Sequence, residues 1–214
     1  MIQVAPSILS ADFARLGAEA AAVDKAGADM IHVDVMDGHF VPNLTIGPDA
    51  VRCIRPYTKL PFDVHLMCVY PSDFVDAFAD AGADYITFHL ESCDDAADVI
   101  SQIKKHKKKI GISIRPDTKV SDLIPYLPDI HLVLIMGVAP GFGGQKMNPK
   151  ALDKIAELKD LIGRKKILIA VDGGVNPETA PACILAGADI LVSGYYVFKQ
   201  KSYRKAIMQL KEEP

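Results

Sequence analysis

The chain has 214 residues, of which 50% are hydrophobic and 24% are charged. A chain of this size and composition can bury a full core, so we expect a soluble globular protein. The net charge of -3 shows no basic bias, which argues against nucleic acid as a partner. No basic leader or membrane-length apolar run is present, and the four cysteines form no Cys-x-x-Cys pair. We therefore expect a cytoplasmic protein that does not bind a membrane, with its cysteines in the core.

The predicted elements alternate between strand and helix along the whole chain. The strand candidates are residues 3–8, 30–35, 60–66, 85–89, 109–114, 132–136, 167–171 and 190–193. The amphipathic helix candidates are residues 12–26, 48–55, 72–81, 94–108, 120–127, 149–162, 177–186 and 202–210. The strands are apolar throughout, which is typical of parallel strands buried on both faces.

Eight such units predict an α/β fold, a (β/α)8 TIM barrel in which residues 1–214 form a single domain. A doubly wound open sheet is the alternative. That fold favours a glycine-rich turn after its first strand, whereas this chain has Pro6-Ser7-Ile8-Leu9.

A short repeat marks the junctions between these elements. Ala-Gly-Ala-Asp occurs at residues 26–29, 81–84 and 186–189, each time after a helical pattern and before an apolar run. Glycine at this place commonly ends a helix in the left-handed conformation. The repeat therefore predicts three helix-to-strand junctions.

The second predicted strand carries two groups that can bind a metal. His32 and Asp34 share one face of an extended strand, while Val33 and Val35 share the other. A neutral imidazole and a carboxylate suit zinc, iron(II), cobalt or manganese. An exposed or hydrogen-bonded pair is the simpler interpretation of this spacing alone.

Reactive residues also occur at other predicted strand ends, where a TIM barrel has its active site. They are Ser7, His65, His89 and Asp172. Together, His32, Asp34, His65 and Asp172 predict a mixed nitrogen and oxygen site for one divalent metal ion. Taken singly, His65 could be a hydrogen-bonded core histidine and Asp172 a helix cap.

Glycine clusters follow the last three strands: Pro140-Gly-Phe-Gly-Gly144, Gly173-Gly174 and Gly194. Glycines before helices leave backbone N–H groups free to surround an anion, and TIM barrels commonly bind phosphate beyond strands seven and eight. One cluster could be only a tight turn. Three on neighbouring loops predict a phosphate site.

Five segments of the chain resemble the ribulose-phosphate 3-epimerase family. They are Ala5-Pro-Ser-Ile-Leu-Ser10, His32-Val-Asp-Val-Met-Asp-Gly-His-Phe-Val-Pro-Asn43, Asp63-Val-His-Leu-Met67, Pro140-Gly-Phe-Gly-Gly-Gln145 and Val171-Asp-Gly-Gly174. The resemblance spans almost the whole chain. It implies a (β/α)8 barrel, the interconversion of D-ribulose 5-phosphate and D-xylulose 5-phosphate, and one divalent metal ion.

The resemblance also implies roles for individual residues. The implied metal ligands are His32, Asp34, His65 and Asp172, with Asp34 and Asp172 also the acid/base pair. Ser7 and His65 are implied to contact the sugar phosphate. The residues implied around the phosphate are Gly141, Phe142, Gly143, Gly144, Gly173, Gly174, Gly194 and Tyr195. We also expect a homo-oligomer.

Two positions depart from the family pattern. The family commonly has Met-Thr-Val-Glu before Pro-Gly-Phe-Gly-Gly, where this chain has Met136-Gly-Val-Ala139. A tyrosine, Tyr195, replaces the serine that usually follows Gly194. These changes leave the four ligands in place and bear on substrate preference and phosphate geometry.

Inversion at C3 of a 2-ketose needs a proton-transfer group on each face, which Asp34 and Asp172 could supply from opposite sides of a barrel. Met36, Met67 and Met136 could form an apolar lid over the intermediate or pack in the core.

A 3-epimerase of a six-carbon substrate such as D-allulose 6-phosphate is an alternative. A decarboxylase resembling orotidine 5′-phosphate decarboxylase is disfavoured because Asp34-Val-Met36-Asp37 lacks a lysine, and a non-catalytic binding protein would not need two opposed carboxylates.

Overall fold

The computed structural model describes residues 1–93 and 95–212. Asp94, at which the predicted fourth helix begins, and residues 213 and 214, which end the predicted domain, lie outside the described residues. Among those described, no helix is both long and apolar enough to cross a membrane.

Within the described residues, eight parallel strands form one sheet. They are β1 Gln3–Ala5, β2 Ile31–Met36, β3 Phe62–Met67, β4 Tyr85–His89, β5 Lys109–Ile114, β6 Leu132–Met136, β7 Leu168–Asp172 and β8 Ile190–Val192. From β2 to β8 each strand pairs with the next one in the sequence, and β8 pairs with β1. A parallel bridge between Ser7 and His32 links β1 to β2. The sheet is thus a nearly closed barrel, and the predicted TIM fold is confirmed.

Most of the α-helices lie between strands in chain order, and the last two follow β8. They are α1 Leu16–Lys25, α2 Pro48–Ile54, α3 Ser72–Ala81, α4 Ala96–Lys105, α5 Lys150–Ile162, α6 Ala180–Ala186, α7 Tyr195–Phe198 and α8 Tyr203–Leu210. The short helix α7, directly after β8, is absent from the sequence prediction.

Proline accounts for two of the differences between the predicted elements and the structure. Residues 120–127 were expected to form an amphipathic helix, but Val120–Tyr126 is a 3₁₀ helix with Pro125 inside it. Proline has no N–H to donate, and its ring clashes with the carbonyl four residues earlier in an α-helix. Strand β1 ends at Ala5 rather than residue 8, because Pro6 cannot donate to the strand ladder.

The three Ala-Gly-Ala-Asp repeats lie at helix-to-strand junctions, as predicted. Their glycines Gly27, Gly82 and Gly187 have φ of 96°, 108° and 111°. The repeat aspartates also accept backbone N–H groups at the start of a neighbouring strand. The bonds are Val4 to Asp29 at 2.8 Å, Phe62 to Asp84 at 2.8 Å, and Ile169 to Asp189 at 2.9 Å. Each repeat therefore ends a helix and fixes the adjacent strand.

Side-chain alternation on β2 separates the core from the site. Val33 and Val35 pack in the large core cluster, which also contains residues of the surrounding helices. His32 and Asp34 are buried and belong to a group of potential metal ligands. Of the cysteines, Cys68 and Cys183 are buried as expected, whereas Cys53 is exposed and the core prediction is wrong for it.

Candidate active site

Four side chains from three strands converge at the carboxyl ends of the strands. His32 and Asp34 come from β2, His65 from β3 and Asp172 from the end of β7. One ligand atom from each lies within 4.8 Å of the others. The register of the sheet contributes to this convergence because Asp34 lies directly beside His65.

The two imidazoles turn one nitrogen each toward the same carboxylate oxygen. Asp34 Oδ1 lies 3.0 Å from His65 Nδ1 and 3.3 Å from His32 Nε2. The two nitrogens are 3.3 Å apart. Two imidazole nitrogens and two carboxylates form a donor set that fits zinc, iron(II), cobalt or manganese.

The two carboxyl groups have opposite pKa shifts. Burial by itself raises the pKa of Asp34, but the charge of His32 and the close contacts with the His32 and His65 rings lower it overall. Burial and then the charge of Asp34 raise the pKa of Asp172 to about 6. Burial opposes a charge on His32, but the carboxylates of Asp34 and Asp63 raise its pKa well above the usual value. Of the two carboxyl groups, Asp34 therefore keeps its charge more readily and Asp172 takes up a proton more readily.

His32 is oriented by a buried carboxylate on its other side. Its Nδ1 lies 2.9 Å from Asp63 Oδ2, and the hydroxyl of Thr87 donates to Asp63 Oδ1 at 2.6 Å. Thr87 lies against Gly111, where a β-carbon would be 2.1 Å from the Thr87 hydroxyl oxygen. A carboxylate behind an imidazole is the usual way in which proteins fix a metal-binding histidine. Glycine at position 111 leaves room for this arrangement.

His65 is backed by a second histidine. Its Nε2 lies 2.9 Å from His89 Nε2, and His89 Nδ1 lies 3.1 Å from Glu91 Oε2. Burial lowers the pKa of His89 to about 4, so this ring is neutral at physiological pH. From the sequence, His89 is a reactive residue at a strand end with no assigned part in the site, and Asp63, Thr87 and Glu91 are not identified as part of it.

A cavity of about 470 Å³ opens above the four side chains. Most of the residues singled out from the sequence line it: Ser7, Asp34, Asp172, Gly141, Phe142, Gly143, Gly144, Gly173, Gly174, Gly194 and Tyr195. His32 and His65 are fully buried and are not among the lining residues. The carboxylates are thus the members of the group that reach the cavity.

The glycine loops form one side of this cavity. A β-carbon at Gly174, which has a φ of 74°, would lie 2.4 Å from the backbone nitrogen of Met147. Gly143 and Gly194 border Ser10, whose hydroxyl oxygen would lie 3.3 Å and 2.9 Å from β-carbons at these positions. Ser10 is not among the site residues predicted from the sequence, although it lies in the Ala5–Ser10 segment and three residues after Ser7.

Three methionines at strand ends line the cavity together with Asp34 and Asp172. Met36, Met67 and Met136 are all buried, and all three line the cavity. Met36 and Met67 form an apolar cluster with Val41, against which Phe40 packs. The lid and core interpretations are therefore compatible, since the methionines are packed and also face the cavity.

The sequence comparison decides the family. Residues 3–198 match the model of the Ribulose-phosphate 3 epimerase family. The chain belongs to this family. It is therefore an epimerase, an enzyme of the isomerase class, as the sequence analysis predicted.

Curated relatives are similar over nearly the full chain. The ribulose-phosphate 3-epimerase of Bacillus subtilis (strain 168) is 52% identical, covering 99% of each chain. The enzyme of the same name from Synechocystis is 49% identical, covering 96% of this chain and 91% of the relative. The chloroplastic ribulose-5-phosphate-3-epimerase of Arabidopsis thaliana is 48% identical, covering 98% and 76%.

More distant solved structures share the barrel alone. KGPDC from Streptococcus mutans has a TM-score of 0.73 at 16% identity, covering 98% of this chain and 95% of the other. Orotidine 5′-phosphate decarboxylase from Pyrococcus horikoshii OT3 has a TM-score of 0.69 at 18% identity, covering 98% and 97%. At such identities the likeness shows the fold and carries no statement about chemistry.

Proposed function

We propose that this epimerase interconverts D-ribulose 5-phosphate and D-xylulose 5-phosphate, using one divalent metal ion bound by His32, Asp34, His65 and Asp172. The observation that carries the proposal is the convergence of two carboxylates and two imidazole nitrogens within 4.8 Å beneath a cavity. The names of the curated relatives support the five-carbon substrate.

The donor set supports zinc, iron(II), cobalt or manganese as the ion. When bound, such an ion supplies Lewis-acid stabilisation of the negative charge that develops on the substrate oxygens as C3 loses its proton. Asp63 supports the ligand role of His32, because it accepts from Nδ1 of His32, the ring nitrogen that faces away from Asp34 and His65.

Asp34 and Asp172 are the proton-transfer groups of the proposed reaction. The carbonyl at C2 makes the C3 proton acidic, and its removal leaves a planar enediolate. One carboxylate takes this proton, and the other returns a proton to the opposite face, which inverts C3. The two aspartates come from β2 and β7, and their opposite pKa shifts support a start with one charged and one protonated.

The glycine loops and Ser7 bind and orient the substrate in this proposal. Gly141–Gly144, Gly173, Gly174 and Gly194 line the cavity and offer backbone N–H groups for the phosphate. Phe142 and Tyr195 add ring surface, and both are exposed at the cavity. Ser7 is the proposed substrate contact at the other end of the cavity. His65 is fully buried and does not line the cavity, so its proposed part is that of a metal ligand.

Two experiments test this proposal. Exhaustive chelation should abolish turnover, and zinc, iron(II), cobalt or manganese should restore it; full activity in a verified metal-free preparation would disprove the metal. The second experiment compares kcat/KM of the loaded enzyme on ribulose 5-phosphate and allulose 6-phosphate. A higher value for the hexose phosphate would transfer the same chemistry to a six-carbon substrate.

We further propose that residues 1–214 form one catalytic domain and that the protein is a cytoplasmic homo-oligomer. Among the described residues, Cys53, Cys68 and Cys183 form no disulfide, which supports a reducing compartment. Analytical ultracentrifugation measures the oligomeric state, and a monomer at micromolar concentration would contradict that part of the proposal.

A further inference from the structure

The second imidazole of the site, His65, is connected to a carboxylate through another ring. His65 Nε2 and His89 Nε2 are 2.9 Å apart, and His89 Nδ1 is 3.1 Å from Glu91 Oε2. Both rings are fully buried, with centroids 4.9 Å apart. Glu91 therefore ends a chain of contacts that begins at the proposed metal ligand.

We propose that Glu91 is a positioning residue that acts through His89 to fix the tautomer of His65, so that His65 presents an unprotonated Nδ1 to the metal. This inference rests on the metal site in the proposed function. It concerns residues that lie behind the ligands and do not line the cavity.

The direction of the hydrogen bonds follows from the chemistry of the groups. A carboxylate can only accept, so a neutral His89 carries its proton on Nδ1, which faces Glu91. His89 Nε2 is then an acceptor, and the nitrogen it faces, His65 Nε2, must be the donor. A neutral His65 has one ring proton, and its Nδ1 is therefore left with a lone pair directed toward the other ligand atoms of the proposed metal site.

Glu91 is held so that it cannot easily turn away from His89. Its other oxygen, Oε1, accepts the backbone N–H of Arg115 at 2.7 Å and the hydroxyl of Thr118. The Phe40 ring packs against His89 with centroids 4.8 Å apart, and the Arg115 guanidinium lies 4.0 Å from the Phe40 ring centroid. These contacts hold both the ring and the carboxylate in place.

His32 has the same arrangement without the additional ring, since Asp63 faces its Nδ1 directly. Both proposed histidine ligands thus have a carboxylate behind the nitrogen that does not face the metal. Residues in this position typically change metal affinity by about 10- to 100-fold when mutated.

Glu91→Gln is a sharp test because it preserves the shape of the side chain but reverses the direction of its hydrogen bond with His89. The Arg115 N–H and the Thr118 hydroxyl lie at Oε1, so the new amide places its oxygen there and its NH₂ toward His89. His89 Nδ1 must then accept, which puts its proton on Nε2, facing His65 Nε2. His65 can meet that donor only by carrying its proton on Nδ1, at the metal position.

The experiment measures two quantities in the full-length protein. Cobalt(II) affinity is measured by competition with a chelator, and the protonated nitrogen of His89 is identified by long-range ¹⁵N NMR of metal-free protein. We expect an Nδ1 proton in the wild type, and in Glu91→Gln an Nε2 proton with cobalt affinity reduced by about 10- to 100-fold. Thr118→Val is the matched control. It removes a hydrogen bond to the same carboxylate but leaves the direction of the hydrogen bonds from His65 through His89 to Glu91 unchanged.

His89→Phe provides a second variant that does not depend on the folding of Glu91→Gln. It keeps a ring against Phe40 but removes the acceptor for His65, and its cobalt affinity should also fall. If His89→Phe binds cobalt with wild-type affinity, this inference is wrong but the metal proposal stands. The same holds if a folded Glu91→Gln keeps the His89 tautomer of the wild type. Failure of the wild-type protein to bind cobalt overturns the metal proposal and this inference with it.

Discussion

The hydroxyl of Ser7 donates a hydrogen bond of 2.5 Å to Oδ2 of Asp34. The other oxygen of this carboxylate faces both site histidines. Ser7 also forms the bridge to His32 that links β1 to β2. The closure of the barrel therefore places a hydroxyl donor against the proposed base.

Removal of this donor should slow the reaction. A hydrogen bond to a charged group contributes about 1.5–3 kcal/mol, so Ser7→Ala should lower kcat/KM by roughly 10- to 100-fold. Steady-state kinetics on ribulose 5-phosphate checks this, with thermal unfolding as the control for folding. Unchanged kcat/KM in a folded variant would show that Asp34 does not need the serine.

Single substitutions of the two aspartates should show that each one transfers a proton on one face of the substrate. Asp172→Asn keeps shape and an oxygen but loses proton transfer, so epimerisation should fall by orders of magnitude. Asp34 could still remove and return a proton on its own face, so exchange of C3–H for deuterium should outlast epimerisation. Asp34→Asn should exchange the other epimer, provided that metal remains bound.

Proton NMR of each pentulose 5-phosphate in deuterium oxide measures both rates for the two metal-loaded variants. Near wild-type epimerisation by both variants would reject the two-aspartate mechanism, and the acid/base groups would then have to be sought among His65 and His89.

A larger side chain at Gly143 should weaken phosphate binding. A β-carbon there points toward Ser10, with 3.3 Å to its hydroxyl oxygen, so valine would extend into the space between the glycine loops. We expect Gly143→Val to raise KM by about tenfold or more, as for the loss of a charge-assisted hydrogen bond. Gly47→Val is the control, because a β-carbon at Gly47 meets nothing within 4 Å. An equal KM for the two variants would place the phosphate elsewhere.

The stability of the fold should depend on pH through Glu91. Burial by itself raises its pKa, but hydrogen bonds from His89, Thr118 and the Arg115 N–H lower the pKa from 4.5 to about 2. Because the folded pKa is below the unfolded one, the charged form stabilises the fold fully above pH 4.5. This contribution is lost as the pH falls from 4.5 toward 2.

Urea unfolding of metal-free wild type and Glu91→Gln measures this contribution. At pH 7 the variant should have a free energy of unfolding lower by about 1–3 kcal/mol. The difference between the two proteins should narrow progressively below pH 4.5. A difference that stays constant with pH would mean that Glu91 contributes through packing rather than charge.

Local patterns in the sequence were sufficient for the architecture. The spacing of apolar runs predicted the eight strands, and the three Ala-Gly-Ala-Asp repeats predicted junctions whose glycines have left-handed φ. Alternation along β2 also predicted that His32 and Asp34 share a face. These features depend on interactions within a few residues, such as helix termination and strand periodicity, and can therefore be inferred without knowledge of the tertiary fold.

The residues behind the proposed ligands were decided by the tertiary structure alone. Thr87 reaches Asp63 across 24 residues and Asp63 reaches His32 across 31, while Arg115 reaches Glu91 across 24. No local periodicity connects such positions, because their contacts depend on sheet register, barrel closure and the rotamers that a packed interior allows. The space that Gly111 leaves for Thr87 has the same origin, since it exists only where β4 and β5 pair in this register.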